Sequence, residues 1–96
     1  MNFKIVFPTG YNVVKNDNDN IDINIIFEDG RIYFGTLFTL KNIQELMLKE
    51  ENINEYKYFW ATNMLIVTDL TIDVINQSIK QIIDSGNIDN IFHLIE

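Results

Sequence analysis

Apolar and polar residues in this chain alternate in runs whose spacing predicts one element after another. Phe3, Ile5 and Phe7 alternate with Lys4 and Val6, the period of a β-strand. Pro8-Thr9-Gly10 predicts a turn, because proline fixes φ and glycine supplies a permissive position. Tyr11 to Val14 then reads as a short return strand. Asn16 to Asn20, the run NDNDN, reads as a loop of Asx residues too short to divide domains.

The strongest local pattern follows. Ile21, Ile23, Ile25 and Phe27 alternate with Asp22, Asn24, Ile26 and Glu28, and Asp29-Gly30 sits where a type I′ turn accepts positive φ. A return strand from Arg31 to about Phe38 completes the hairpin. A two-residue turn would set Phe27 opposite Ile32, Ile25 opposite Phe34, Ile23 opposite Thr36 and Ile21 opposite Phe38. The same register would place Glu28 across from Arg31, a favourable charge pair.

Thr39 or Asn42 is expected to cap a helix, with Asn42 and Glu45 spaced as a capping box. Ile43, Leu46 and Met47 form its apolar stripe. After the polar stretch Glu51 to Glu55, the run YKYFWATNMLIV predicts a second hairpin turning at Thr62-Asn63, with a single bulged strand as the competing reading. Tyr58, Trp60, Leu65 and Val67 would share one face. Apolar residues on both faces place this segment at the centre of the sheet or leave one face for a partner. Thr71 is expected to cap a further helix, with Asp73 near its positive end. Ile72, Ile75, Ile79, Ile82 and Ile83 give the buried stripe and Gly86 the stop. Ile88, Ile91, Phe92 and Ile95 suggest a short final helix. The sum is an α+β fold: an antiparallel sheet of four to six strands, made of two hairpins and an N-terminal strand, packed against two main helices.

Composition narrows the function classes. The 96 residues suit a single domain, 1–96. The chain has no cysteine, which removes disulfides and thiolate metal sites and points to the reducing cytoplasm. No stretch approaches the roughly 18 apolar residues of a membrane span, and the opening apolar run is too short for a signal peptide. Net charge is −7, and Arg31 is the single arginine. Nucleic-acid binders draw their affinity from cations on phosphates, so that partner class is disfavoured. A negative field favours a basic protein partner instead.

Candidate chemistry is sparse. Asp17, Asp19 and Glu28 match three ligand positions of an EF-hand loop, but Ile21 and Asp22 stand where a ligand and the turning glycine belong. His93 is the lone histidine, with no set of ligands to complete a metal site. The carboxylate pairs Asp69/Asp73 and Glu28/Asp29 fall where caps and turns want aspartate. Ser78 and Ser85 lie in or beside a predicted helix, off any nucleophile elbow. The reading is therefore a non-catalytic domain without metal or cofactor. In the aromatic cluster Tyr56, Tyr58, Phe59 and Trp60, core packing of Phe59 and Trp60 competes with an interaction surface.

The stretches EDGRIYFGTLFTLKNIQELM and YFWATNMLIVTDLT resemble small acidic bacterial proteins of the kind that include immunity proteins of polymorphic or contact-dependent toxins. The resemblance spans about Ile21 to Phe92 and carries no diagnostic site residue. It implies a cytosolic inhibitor neutralising a basic toxin domain. The expected contact set is Asp17, Asp19, Asp22, Glu28 and Asp29, one loop, one hairpin tip and the face between. The alternative is a self-associating structural or accessory domain, a homodimer built on the Ile26/Tyr33 face or the Tyr58–Trp60 strand.

Overall fold

A computed structural model of the chain describes residues 2–9, 11, 17–49 and 58–96. Strands β1 (Phe3–Val6), β2 (Asn20–Phe27) and β3 (Ile32–Thr39) are followed by helix α1 (Leu40–Leu48) and strand β4 (Met64–Val67). Helices α2 (Ile72–Asp84) and α3 (Ile88–Ile91) and strand β5 (His93–Leu94) complete the chain. The sheet runs β1-β2-β3-β4, and β5 joins β3 beside its pairing with β4. This is the expected α+β class with two main helices, but the sheet is mixed. Tyr11 reaches into it from outside, its hydroxyl donating to the Leu70 carbonyl and its ring stacked on Phe7. The return strand expected at Tyr11 to Val14 falls largely on residues outside the described set.

The β2–β3 hairpin forms in a register one residue away from expectation. Gly30 N–H donates to the Phe27 carbonyl at 3.0 Å, and Phe27 N–H then reaches past Gly30 to the Arg31 carbonyl at 2.9 Å. Gly30 sits at φ 93. This is a three-residue loop closed by a bulge at a left-handed glycine, instead of a two-residue turn. Ile25 therefore faces Tyr33, Ile23 faces Gly35 and Ile21 faces Leu37. A shift of one residue inverts sidedness. Tyr33, Gly35 and Leu37 enter the core, while Ile32, Phe34, Thr36 and Phe38 turn to the other side. The supposed Ile26/Tyr33 face does not exist, since Ile26 pairs with Ile32 and Tyr33 is 1% exposed. The tip charges also re-pair. Arg31 Nε bonds Asp29 at 2.9 Å, and Glu28 instead accepts from the Asn2 side chain at 2.7 Å.

The core lies between the sheet and α2. Ile21, Ile23, Ile25 and Phe27 of β2 meet Leu70, Ile75, Ile79, Ile88 and Phe92 there. Thr71 caps α2, accepting from Val74 N–H and itself held by Asp69, while Asp73 lies in the first turn. At the other end Gly86 N–H bonds the Ile83 carbonyl and Asn87 N–H the Ile82 carbonyl, with Gly86 at φ 76. These paired bonds are a Schellman stop. The final helix is shorter than expected, ending at Ile91 before the chain straightens into β5. Phe92, at that junction, lies against Gly35 so closely that a Cβ there would sit 1.9 Å from its ring.

The second hairpin does not form among the described residues: Tyr58 to Ala61 hold no strand pairing, and β4 runs parallel to β3. Asn63, at φ 56, bends the chain into β4, and its carbonyl receives Thr36 N–H at 3.0 Å. Helix α1 thus becomes the crossover that a parallel pair requires. Its cap is Thr39, whose Oγ1 accepts from Asn42 N–H at 3.2 Å; the Asn42–Glu45 box is not used, and Glu45 accepts from Asn18 instead. The Thr39 side chain is fully buried. Of the aromatic run, Phe59 packs edge-on against Phe38 at 5.2 Å, whereas Trp60 stands 70% exposed, contrary to the core reading.

Candidate functional site

Directly opposed residues share one face of a sheet, so the registers give the outer face as four rows. Lys4, Ile26 and Ile32 form the first; Val6, Asn24, Phe34 and His93 the second; Asp22, Thr36 and Met64 the third; Asn20, Phe38 and Ile66 the fourth. The fourth row is tied to α1 by the Asn20–Asn42 side-chain bond at 2.8 Å and roofed in part by Phe59. In that row Ile66 remains 51% exposed, and Tyr58 and Trp60, the sequence neighbours of Phe59, are exposed as well. Phe59 is thus seated on Phe38 while its two aromatic neighbours stay largely in solvent.

The sequence-predicted carboxylates divide into two groups. Asp17 and Asp19 precede β2 and Asp22 lies on its outer face, accepting from Thr36 Oγ1 at 2.8 Å. Glu28 and Asp29 stand at the opposite end, roughly 20 Å along the strand from Asp22 at about 3.4 Å per residue. Asp29 is already committed to Arg31. The Arg31 N–H, followed by the guanidinium, holds its carboxyl below the usual aspartate range. The candidate face therefore keeps Asp22 and leaves out the hairpin tip, while Asp17 stands beside Lys41 of α1 and Asp19 near Tyr11. Asp17 lies 3.9 Å from Lys41, both well exposed, an arrangement that contributes little to stability. A concavity of about 240 Å³ opens beside Asp22, walled by Val6, Phe7, Pro8, Asn24 and Phe34.

The remaining chemical candidates are taken up by structure. Ser78 Oγ donates to the Val74 carbonyl within α2, and Ser85 Oγ to the Ile82 carbonyl at its C-terminal end. Asp69 receives Thr71 N–H and Oγ1 at 3.0 and 2.6 Å. Glu28 lies a full strand away from Asp17, so the EF-hand spacing is not a cage. Among the described residues no three His, Cys, Asp or Glu side chains come close enough to hold a metal ion. His93 is exposed on the outer face opposite Phe34.

One polar chain crosses the core edge. The Tyr33 hydroxyl donates to Asp89 at 2.7 Å and Arg31 approaches it at 3.5 Å. The bond to Asp89, followed by burial, raises the Tyr33 hydroxyl above the ordinary tyrosine range. Burial, followed by the charges of Asp19 and Asp69, does the same to Tyr11. The folded state thus holds both protons more tightly than the unfolded chain. Their contribution is complete below the unfolded tyrosine value of about 10 and is lost as pH rises through the raised values. Urea unfolding between neutral pH and pH 11 is expected to show a fall in stability that is shallower in Tyr33→Phe. Equal slopes would remove Tyr33 from the account.

The exposure of Trp60 and Ile66 was not legible without β4's position at the sheet edge. The signal that was available is the alternation Tyr58-Phe59-Trp60, in which one aromatic anchors and two are left over. No protein-family model, curated protein or solved structure matches the chain.

Proposed function

We propose that this chain is a non-catalytic protein-binding domain that docks a basic partner on its outer sheet face. The carrying observation is the pair Tyr58 and Trp60, 67% and 70% exposed, which flank Phe59 in sequence where it packs on Phe38 of that face. Tyrosine and tryptophan are the side chains that most often anchor protein interfaces, and a clustered apolar surface on a soluble domain marks such a site. Asp22, on the wall of a small concavity, suits a lysine or arginine of the partner. The net charge of −7 speeds encounter with a basic surface and opposes pairing of two copies.

Within that class the reading is a cytoplasmic inhibitor, an immunity protein that occludes the cationic cleft of a toxin domain. Among the described residues no helix is long and apolar enough to cross a membrane, in keeping with such a role. Self-association through the same aromatics is the competing outcome.

The test is affinity capture from the native host with the intact chain, Trp60→Ala and Asp22→Asn, followed by kinetics on the purified partner. Trp60→Ala is expected to weaken binding by at least about thirtyfold, some 2 kcal/mol, with folding stability unchanged. Asp22→Asn, combined with Asp17→Asn and Asp19→Asn, is expected to slow association about tenfold at low salt and less at high salt. Recovery of an acidic partner, or binding indifferent to Trp60, defeats the proposal. A concentration-dependent dimer in sedimentation that Trp60→Ala dissolves would give the face to a second copy.

A further inference from the structure

The side of β4 turned away from β3 combines outward backbone groups with a core-side cleft. Thr36 N–H donates to the Asn63 carbonyl, and Thr36 and Phe38 pair with Met64 and Ile66. In such a parallel ladder Asn63, Leu65 and Val67 turn their peptide groups to β3, so those of Met64 and Ile66 point away from the sheet. Among the described residues no strand pairs with that side of β4. An edge of this kind is a template for an added strand unless it is blunted by proline, charge or a bulge. The β4 sequence MLIV has no proline and no charge, and its four residues offer a short ladder of two outward peptide units.

Beneath the same edge lies a cleft of about 520 Å³ between β4 and the end of α2 with α3. Leu65, Ile82 and Ile91 supply its apolar lining, and Ser78, Ser85 and Asn90 supply polar groups around it. Its volume falls in the range of ligand clefts, roughly 300–1,000 Å³. A strand laid along Met64 and Ile66 would send every second side chain towards α2 and into this space. We infer that the β4 edge and the cleft under it take an extended, basic peptide segment as a sixth strand of the sheet. Basic character follows from the net charge of −7, which also disfavours a second copy as the added strand. The inference does not depend on Tyr58 or Trp60, and either site can fail while the other stands.

The probe is an acetylated, amidated hexapeptide of alternating lysine and valine, titrated into the isotope-labelled full chain and followed by amide chemical shifts. The Met64 and Ile66 amides are expected to move most, together with Leu65 and Ile82. N-methylation of alternate peptide nitrogens is expected to weaken binding about tenfold, the effect of losing main-chain hydrogen bonds. Gln81→Trp, which fills the cleft from an exposed helix position, is expected to do the same. Ile66→Pro removes only an outward N–H and serves as a second block should Gln81→Trp not fold. Failure to shift β4 amides at millimolar peptide, equal binding of the N-methylated or a glutamate–valine peptide, or shifts confined to Val6, Asn24 and Phe34 would each overturn the inference. So would Met64 and Ile66 shifts that appear simply on concentrating the chain, which would assign the edge to a second copy.

Discussion

Gly35→Ala is expected to destabilise the protein by about 3–4 kcal/mol, although alanine is ordinarily tolerated better than glycine in a strand. The added Cβ would lie 1.9 and 2.2 Å from two carbons of the Phe92 ring, and real atoms cannot occupy that space. Either the ring leaves its site, where it is buried, or β3 moves. Losing a buried phenylalanine's contacts costs about 3–5 kcal/mol, and relief of glycine's backbone entropy returns only about 0.4–1 kcal/mol. Against a total of about 5–15 kcal/mol for a domain, this is a large share, read as a lowered urea midpoint with little change in slope. The mechanism makes a sharper demand. In a Phe92→Ala background the clash is absent, so Gly35→Ala should become neutral or mildly stabilising. Additive losses would show that the ring is not what glycine makes room for.

Thr39→Val is the second large effect, expected at about 2–3 kcal/mol for a change that keeps shape and removes a hydroxyl. Thr39 Oγ1 accepts from Asp19 N–H and from Asn42 N–H, each at 3.2 Å, and lies 3.3 Å from the Asp19 carbonyl as donor. Its side chain is fully buried. One atom therefore caps α1 and fastens the entry of β2 to the exit of β3. Valine would leave two N–H groups without their acceptor, and a lost cap alone costs about 1 kcal/mol while each stranded donor adds its own desolvation cost. Thr39→Ser should retain most of the stability. Hydrogen exchange gives the local reading: the Asn42 amide should exchange faster in Thr39→Val and not in Thr39→Ser. Unchanged protection would show that water or another group satisfies that amide.

These two sites mark the limit of what the sequence could tell. The existence of β1, β2, β3 and both main helices was legible because each carries its own period, and the Thr71 and Gly86 signals placed α2 within a residue. The hairpin register was not. Asp-Gly is compatible with a two-residue turn and with a bulged loop, and the latter is the one that buries Tyr33 and Leu37 in the core. The direction of β4 was not legible either, because MLIV has no feature that distinguishes parallel from antiparallel pairing. Five acidic residues read as one contact set; Asp17 and Asp19 precede β2, Asp22 lies on its outer face, and Glu28 and Asp29 are carried off by the length of the strand. Glycine at position 35 gave no hint of its function, since Phe92 is 57 residues away in sequence and meets it only through the tertiary fold, just ahead of the strand that pairs with β3.

Ile21, Ile23, Ile25, Tyr33 and Leu37 answer to the interior, while Asp22, Asn24, Ile26, Ile32 and Phe34 between them answer to whatever lies outside. Two instructions are interleaved in one stretch of chain yet never touch the same space. Descendants of this domain can therefore exchange one set for new neighbours while the other continues to specify the same architecture.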